Sequence, residues 1–481
     1  MAESFNLLEK GWIPVLFGNG EVCRVGITEA FTKAGQIRQI ATSNPMDRIA
    51  VLRFLLALLY WCKGNPPSDR SELPRDSFPA DWFSKLNQNK ECFDLLGDGK
   101  RFYQDRSGVR VARTEKGKEA VMYLIQEIPT GNNFWHFRHS TDRQDGLCIA
   151  CCAMGLLRLP LFFAMGGRGY PPGINGAPPL YVLPCGKSLL DTLLANWHVV
   201  DDLGDPAWLD PTVRPPQGQP VPMLTGLTLL SRRVWLSDPT PPPGMCIVCG
   251  AREQALIRTC EFQTAGRQEN ELWNDPHVVY LDKTPRRGLR ASDPTAPRGF
   301  TMDRPWLDLL ARVVETRKFG AEHSDTPLLV VGFATKKALS IDVWERTLVL
   351  PARASFKNDP VALLRRWGRW PSHFKSTLSN ILRPKSQKVS NLGAATASVV
   401  CPQVEGRVSS NVSVLLAGGN EAWERAADEY PRLVQSVARS LSPGFTTAAV
   451  QRRMQIAAVK PNVQADKQSR KKQTRKKGGA E

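Results

Sequence analysis

Two C-x-x-C knuckles constrain this chain more than any other feature. Cys148-Ile149-Ala150-Cys151 and Cys246-Ile247-Val248-Cys249 each space two thiols three residues apart, with residues 152–245 between them. One such pair can chelate a tetrahedral Zn²⁺, and two pairs close the shell as Cys₄. Such a shell has no open position, so the metal would be structural, pinning together two segments far apart in sequence. Gly250, just after the second knuckle, leaves room for a tight turn. The competing reading makes Cys148 and Cys151 ordinary core residues of an apolar helical run that also contains Cys152, itself a rival to Cys151 as a ligand. Eleven cysteines, an odd number in a chain whose start lacks the charged-then-apolar pattern of a signal peptide, argue against a disulfide framework. Cys23, Cys62, Cys92, Cys185, Cys260 and Cys401 then read as isolated thiols, and the expected location is cytoplasmic.

The rest of the chain reads as a large mixed α+β molecule. The 481 residues, 42% of them hydrophobic, suffice for a sizeable core. The longest apolar run, Phe54–Cys62, is nine residues, whereas a bilayer span needs about 18–20; no membrane association is expected. Ser43-Asn44-Pro45 supplies a helix N-cap with proline at the first helical position. The segment from Met46 to Trp61 that follows is apolar nearly all round, the pattern of a helix buried on most faces. Leu7-Leu8 with Trp12-Ile13-Pro14-Val15 reads as a short strand closed by proline. Farther on, strand-like pieces (180–183, 234–236, 278–281, 328–331) alternate irregularly with helical ones (189–197, 306–315), without a βαβ rhythm or an internal repeat. After about residue 357 the texture turns helical. The expected organisation is a mixed domain with long loops over 1–357, a C-terminal helical bundle over 358–460, and a disordered basic tail over 461–481.

Charge points to the partner. The chain carries +18, and residues 460–481, with eight Lys/Arg against two acids, account for only part of it. A basic body favours an anionic partner, most often nucleic acid, over simple colloidal solubility. Cationic and aromatic residues interleave at Asn132–His139, at Thr335-Lys336-Lys337, and at Arg365-Arg366-Trp367-Gly368-Arg369-Trp370, a combination suited to backbone contacts and base stacking. The glycine-rich stretch from Gly166 to Gly176 can bring backbone against a phosphate or a base edge. It is not a Walker loop, and Gly186-Lys187-Ser188 lacks the glycine that such a loop needs five positions earlier. Enzyme signatures are poor: the six histidines form no H-E-x-x-H, and there is no G-x-S-x-G. The rivals carried forward are a zinc-dependent nuclease built on His136, His139 and His277, and a free-standing RNA-binding protein.

In order along the chain, several segments resemble one known family. They are Leu7-Leu8 with Trp12–Val15; Gly131-Asn132-Asn133 before Phe137-x-His139; the knuckle pair; Leu190–Asn196; Gly226-Leu227 with Ser231–Val234; Asp275-Pro276-His277; and Gly332-Phe333, Lys337-Ala338 and Trp344. The chain is similar to the CasA-type large subunits of the type I-E CRISPR surveillance complex, Cascade, in their zinc-bearing branch. That resemblance implies a non-enzymatic protein with a C-terminal four-helix bundle, set among other Cascade subunits at the 5′ end of the CRISPR guide RNA. It implies that the protein tests double-stranded DNA for a protospacer-adjacent motif, wedges the duplex open so that an R-loop can start, and helps recruit a helicase-nuclease. Carried across residue by residue, the motif-sensing loop falls on Phe137, Arg138 and His139, and the glycine loop on Gly166, Gly167 and Gly169. The wedge falls on Thr335, Lys336, Lys337 and Ala338, with Lys337 where the best-known member has glutamine. The family's minor-groove lysine falls near Thr264, which is not basic; Arg267 is the nearest cation.

Overall fold

Asn44 and Pro45 start the central helix as their chemistry requires. In the computed structural model the Asn44 side chain accepts from Met46 N at 2.8 Å, and α2 (Pro45–Lys63) then runs 19 residues to Gly64, whose φ of +81° ends it. The structure describes residues 4–106, 119–127, 146–163, 172–215, 218–266, 270, 272–282, 287–288, 290, 306–316, 319, 321, 323–336, 339–355 and 361. Every residue of α2 from Met46 to Trp61 except Arg48 is buried. The helix is therefore wrapped on all sides, as its composition predicts. No described helix is long and apolar enough to cross a membrane.

Around α2 the N-terminal segment forms β1 (Ile13–Phe17), β2 (Val22–Val25) and β3 (Ile37–Ile40), an antiparallel sheet in the order β2-β1-β3, with α1 (Ile27–Thr32) between β2 and β3. The expectation that proline closes the first strand is corrected: the strand runs through Pro14. The ladder to β3 starts only at Val15, while the Pro14 carbonyl accepts from Ala41 N at 2.8 Å, so the absent N–H breaks no rung there. Trp12, Phe54, Trp61, Phe93, Phe102, Tyr103 and Trp208 pack against one another, many edge to face, over one flank of α2. The short α3 (Ser84–Gln88) follows, with Leu86 buried.

Further antiparallel groupings carry the rest of the first compact unit, Met1–Asp293 with Pro327–Leu348. β4 (Glu119–Ala120), β6 (Arg232–Leu236) and β9 (Thr259–Thr264) form a sheet in the order β4-β9-β6. β7 (Gly244–Met245) and β8 (Arg252–Glu253) make a small hairpin, and β10 (Tyr280–Asp282) pairs with β11 (Arg287–Gly288). β5 (Tyr181–Pro184) is buried throughout and pairs with β12 (Thr326–Lys336), which pairs in turn with β13 (Leu339–Leu350). The helices are α4 (Ile149–Leu157), α5 (Leu189–Asn196), started by a Ser188–Asp191 capping box, and α6 (Met223–Thr228). A glycine is obligatory where two elements touch: a Cβ on Gly332 would lie 2.4 Å from the Trp344 ring, and one on Gly226 would lie 2.3 Å from Trp273.

The second unit comprises Pro294–Thr326 and Val349–Glu481. Its described part includes α7 (Trp306–Thr316), where Leu309, Leu310, Ala311 and Val313 are buried. Ala352 N donates to Asp325 Oδ1 at 3.0 Å. The expected bundle over 358–460, apart from Val361, and the tail over 461–481 lie outside the described residues, as does Cys401.

Candidate metal centre and nucleic-acid interface

The two knuckles meet. Cys148 is the N-cap of α4 and Cys151 lies in its first turn, so the helix brings both thiols to one side of its start. Cys246 to Cys249 form the turn between β7 and β8, closed by Gly250 N donating to Cys246 O at 2.8 Å, with Gly250 at φ +72°. Backbone bridges join Gly146 to Cys246 and Leu147 to Ile257, the latter with N···O distances of 2.9 and 3.0 Å. The four Sγ atoms all lie within 4.8 Å of one another, with Cys148 and Cys249 at 3.7 Å. Thiolates about 2.3 Å from a tetrahedral zinc would be about 3.8 Å apart. The sulfur set therefore fits a metal ion of that kind. Cys152 is not in it. It is fully buried, and burial, followed by the fields of Cys148 and Cys260, holds its thiol well above the ordinary range.

Electrostatics at the cluster also suit a cation. Hydrogen bonds from Cys148 and Cys151 pull the Cys246 thiol below the usual thiol range. Hydrogen bonds with Cys148 and Cys246, then burial, push the Cys151 thiol upward. Arg24 on β2 faces the same sulfurs. Burial works against its charge, but a hydrogen bond to Cys249 and the fields of Cys148, Cys249 and Cys151 raise its pKa. Four thiolates around a divalent cation carry a net double negative charge, which Arg24 offsets in part. Sequence reasoning missed Arg24, because nothing in a β-strand arginine identifies a sulfur neighbour.

At the far end of α4 lies a second constellation, also unforeseen. Arg158 is fully buried, with Nε donating to Asp47 Oδ1 at 2.6 Å and Nη1 to Glu127 Oε2 at 2.7 Å. Asn44 Nδ2 donates to the other Glu127 oxygen. Nearby, Arg53 of α2 makes a bidentate pair with Asp275 at 2.6 and 2.9 Å, again inside the core. Asp275 also accepts from Asn175 Nδ2 at 2.8 Å and from His277 N at 2.9 Å. Burial opposes the Asp275 charge, but Arg53 overcomes it and holds the carboxyl well below the usual carboxylate range. Arg53 Nη1 lies 2.8 Å from His277 Nδ1, which must accept because a guanidinium only donates. With its other nitrogen facing Asn196 Oδ1 at 3.2 Å, His277 is committed to this core network rather than to a metal.

Of the residues expected to touch nucleic acid, Phe137, Arg138, His139, Gly166, Gly167, Gly169, Arg267, Lys337 and Ala338 lie outside the described residues, as does His136. Thr335 is half-buried and Lys336 is the last residue of β12. Some of the described residues near these segments contact 158–163, whereas Gly146 bridges to Cys246 at the other end of α4 and Asn270 N donates to Ile174 O at 3.2 Å. Glu127 pairs with Arg158. Gly173 N donates back to Phe163 O at 3.3 Å, across the glycine-rich segment. Ser231, which accepts from Ala265 N at 3.5 Å, donates to Leu159 O. Phe333 of β12 packs edge-on against Phe162, with ring centroids 6.2 Å apart.

Residues 6–460 match the family model described as CRISPR-associated protein Cse1. The chain belongs to the Cse1 family. A CasA/Cse1 protein of Thermus thermophilus is 33% identical over 226 residues, a stretch covering 44% of this chain and 43% of that relative. The Cse1 fold extends further than that stretch. The crystal structure of Thermobifida fusca Cse1 superposes with a TM-score of 0.68 at 18% identity, covering 95% of this chain and 96% of the other. A chain of a solved CRISPR RNA-guided surveillance complex gives 0.59 at 14%, covering 95% and 99%. The CasA-type resemblance read from the ordered motifs and this match coincide.

Proposed function

We propose that the protein is the large subunit of an RNA-guided CRISPR surveillance complex of the Cascade type. In this reading it recognises the protospacer-adjacent motif in double-stranded DNA, opens the duplex to start the R-loop, and helps recruit a helicase-nuclease. Membership of the Cse1 family over residues 6–460 carries the reading. Its partners are the other Cascade subunits, the 5′ end of the guide RNA, and target DNA, and it works without chemistry of its own. The metal centre, assigned to structural zinc, has all four positions taken by sulfur, so it staples the scaffold and does not activate water.

The physics of the task matches the chain. A protein that must test many sites needs modest, salt-sensitive phosphate contacts, and a chain of +18 supplies them. The minor groove distinguishes base pairs coarsely, so a tolerant reading of the motif is expected there. Guide pairing then supplies sequence specificity. Unstacking the first step costs a few kcal/mol, which an inserted side chain offsets. In this reading Phe137–His139, Gly166–Gly169, Arg267 and Thr335–Ala338 share one surface; the core contacts of Glu127, Gly173 and Phe333 with residues 158–163, each near one of these segments, support it.

The test uses the assembled complex with Lys336→Glu and Lys337→Glu together. Target-duplex binding should be lost while complex assembly and guide RNA content stay intact. Unchanged duplex affinity would remove the wedge assignment. Co-purification of the chain with guide RNA and partner subunits separates this reading from a free-standing RNA-binding protein.

A further inference from the structure

The four sulfurs of the metal set differ in what can reach them. Cys148, Cys151 and Cys246 are 3%, 7% and 1% exposed, whereas Cys249 is an exposed residue. The turn that carries it is open as well. Ile247, Val248 and Gly250 are exposed, and a Cβ on Gly250 would meet nothing within 4 Å. Arg24 donates a hydrogen bond to the Cys249 sulfur. An accessible cysteine beside a guanidinium is the place where an oxidant acts first, because the cation favours the anion that leaves. Cys152 and Cys260, close by, are fully buried and out of an oxidant's reach.

Cys148 is placed to complete such a reaction. Its Sγ lies 3.7 Å from Cys249 Sγ. An S–S bond is about 2.05 Å long, so closure needs a movement of less than about 2 Å. The exposed turn supplies it while Cys148 stays at the start of α4. A bond between these two sulfurs joins positions 101 apart in the chain, so it still ties α4 to the β7–β8 turn. A bond within one knuckle, such as Cys246 to Cys249, would not.

We infer that Cys249 is a site of oxidation by hydroperoxides, resolved by Cys148, so that a disulfide takes over from the metal as the tie between the two knuckles. The inference rests on the zinc assignment above. In the first step the Cys249 thiolate attacks one peroxide oxygen and the O–O bond breaks. The sulfur becomes a sulfenic acid, losing two electrons, and the other oxygen leaves as hydroxide or alkoxide and takes up a proton. In the second step the Cys148 thiolate attacks that sulfur, the S–S bond forms, and hydroxide leaves to become water. Two of the four metal ligands are then gone, and the ion is released.

The experiment treats the purified, zinc-loaded full chain with hydrogen peroxide. Released zinc is read with a colorimetric chelator, and the cysteines are mapped by mass spectrometry. Zinc release and a Cys148–Cys249 disulfide should appear together, and dimedone, which traps sulfenic acid, should label Cys249. The oxidised, metal-free chain should melt above the reduced chain stripped by a chelator, because the disulfide constrains the unfolded state. Zinc retained through excess peroxide, a first label on Cys148, Cys151 or Cys246, or a disulfide within one knuckle overturns the inference. Cys249→His keeps four ligands, as Cys₃His, and removes the accessible sulfur. Its remaining sulfurs react only when the site opens locally, so zinc release should slow by about tenfold or more. Release at the wild-type rate from that variant also overturns the inference, and the wild-type mapping decides alone if the variant binds no metal. A wild-type chain that takes up no zinc overturns the metal assignment together with the inference and leaves the family reading intact.

Discussion

Removing the Asp275 carboxylate is the sharpest test of how the core is held. Arg53 and Asp275 are 3% and 0% exposed and meet at 2.6 Å, whereas Lys90 and Glu9 also meet at 2.6 Å but are 48% and 63% exposed. Distance is thus matched and burial is not. In Asp275→Leu, the carboxylate that accepts from Arg53 Nη1 and Nη2, Asn175 Nδ2 and His277 N is lost at once, and the buried guanidinium keeps His277 Nδ1 but no counter-charge there. Breaking one side of such a buried pair costs about 3–5 kcal/mol. In Glu9→Gln only a solvated pair is lost, worth below about 1 kcal/mol. Urea unfolding of the full chain, followed by tryptophan fluorescence, reads both, because Trp12, Trp61 and Trp208 lie in the same core. The double change Arg53→Met with Asp275→Leu should recover part of the loss, since it removes the stranded charge. Equal effects of Asp275→Leu and Glu9→Gln would refute the reasoning. The pH dependence has a fixed sign. The Asp275 pKa is depressed in the fold, so its contribution is complete above the ordinary carboxylate pKa and fades as pH falls through the folded value. Asp275→Asn should therefore flatten the acid limb of the stability curve.

Three further outcomes are expected. Elemental analysis of purified protein should find close to one zinc per chain, and the double change Cys246→Ser with Cys249→Ser should abolish it; a chain that retains metal after that change would exclude the four-sulfur site. Arg24→Met should leave the sulfurs in place but speed metal loss to a competing chelator by about 10-fold or more, as for other groups that orient metal ligands; an unchanged rate would remove Arg24 from the centre. Gly332→Ala forces a carbon into the Trp344 ring and should destabilise by about 1–3 kcal/mol, measured by the same urea titration.

The parts of the fold that were legible in sequence were those with local causes. Asn44-Pro45 and the unbroken apolar run announced α2, and the spacing of Cys148, Cys151, Cys246 and Cys249 announced the metal set. What was hidden depends on distant partners. Arg53 and Asp275 are 222 positions apart, and Arg158 and Asp47 are 111 apart, so each reads in sequence as an ordinary polar residue. Asp275-Pro276-His277 and Gly226-Leu227 were visible as signatures, and the structure supplies their physical content: a core ion-pair network and a glycine pressed against Trp273. Pro14 misled because a proline ends a strand only where its missing N–H would have formed a rung.

The most direct measurement places a photo-cross-linking side chain at position 335, in place of Thr335, in the assembled, guide-loaded complex. If β12 ends at a surface that pries apart target DNA, irradiation should join that position to the first base pairs beside the flanking motif, and only in duplexes that carry the motif. Cross-links to protein alone, or to DNA irrespective of the motif, would contradict it.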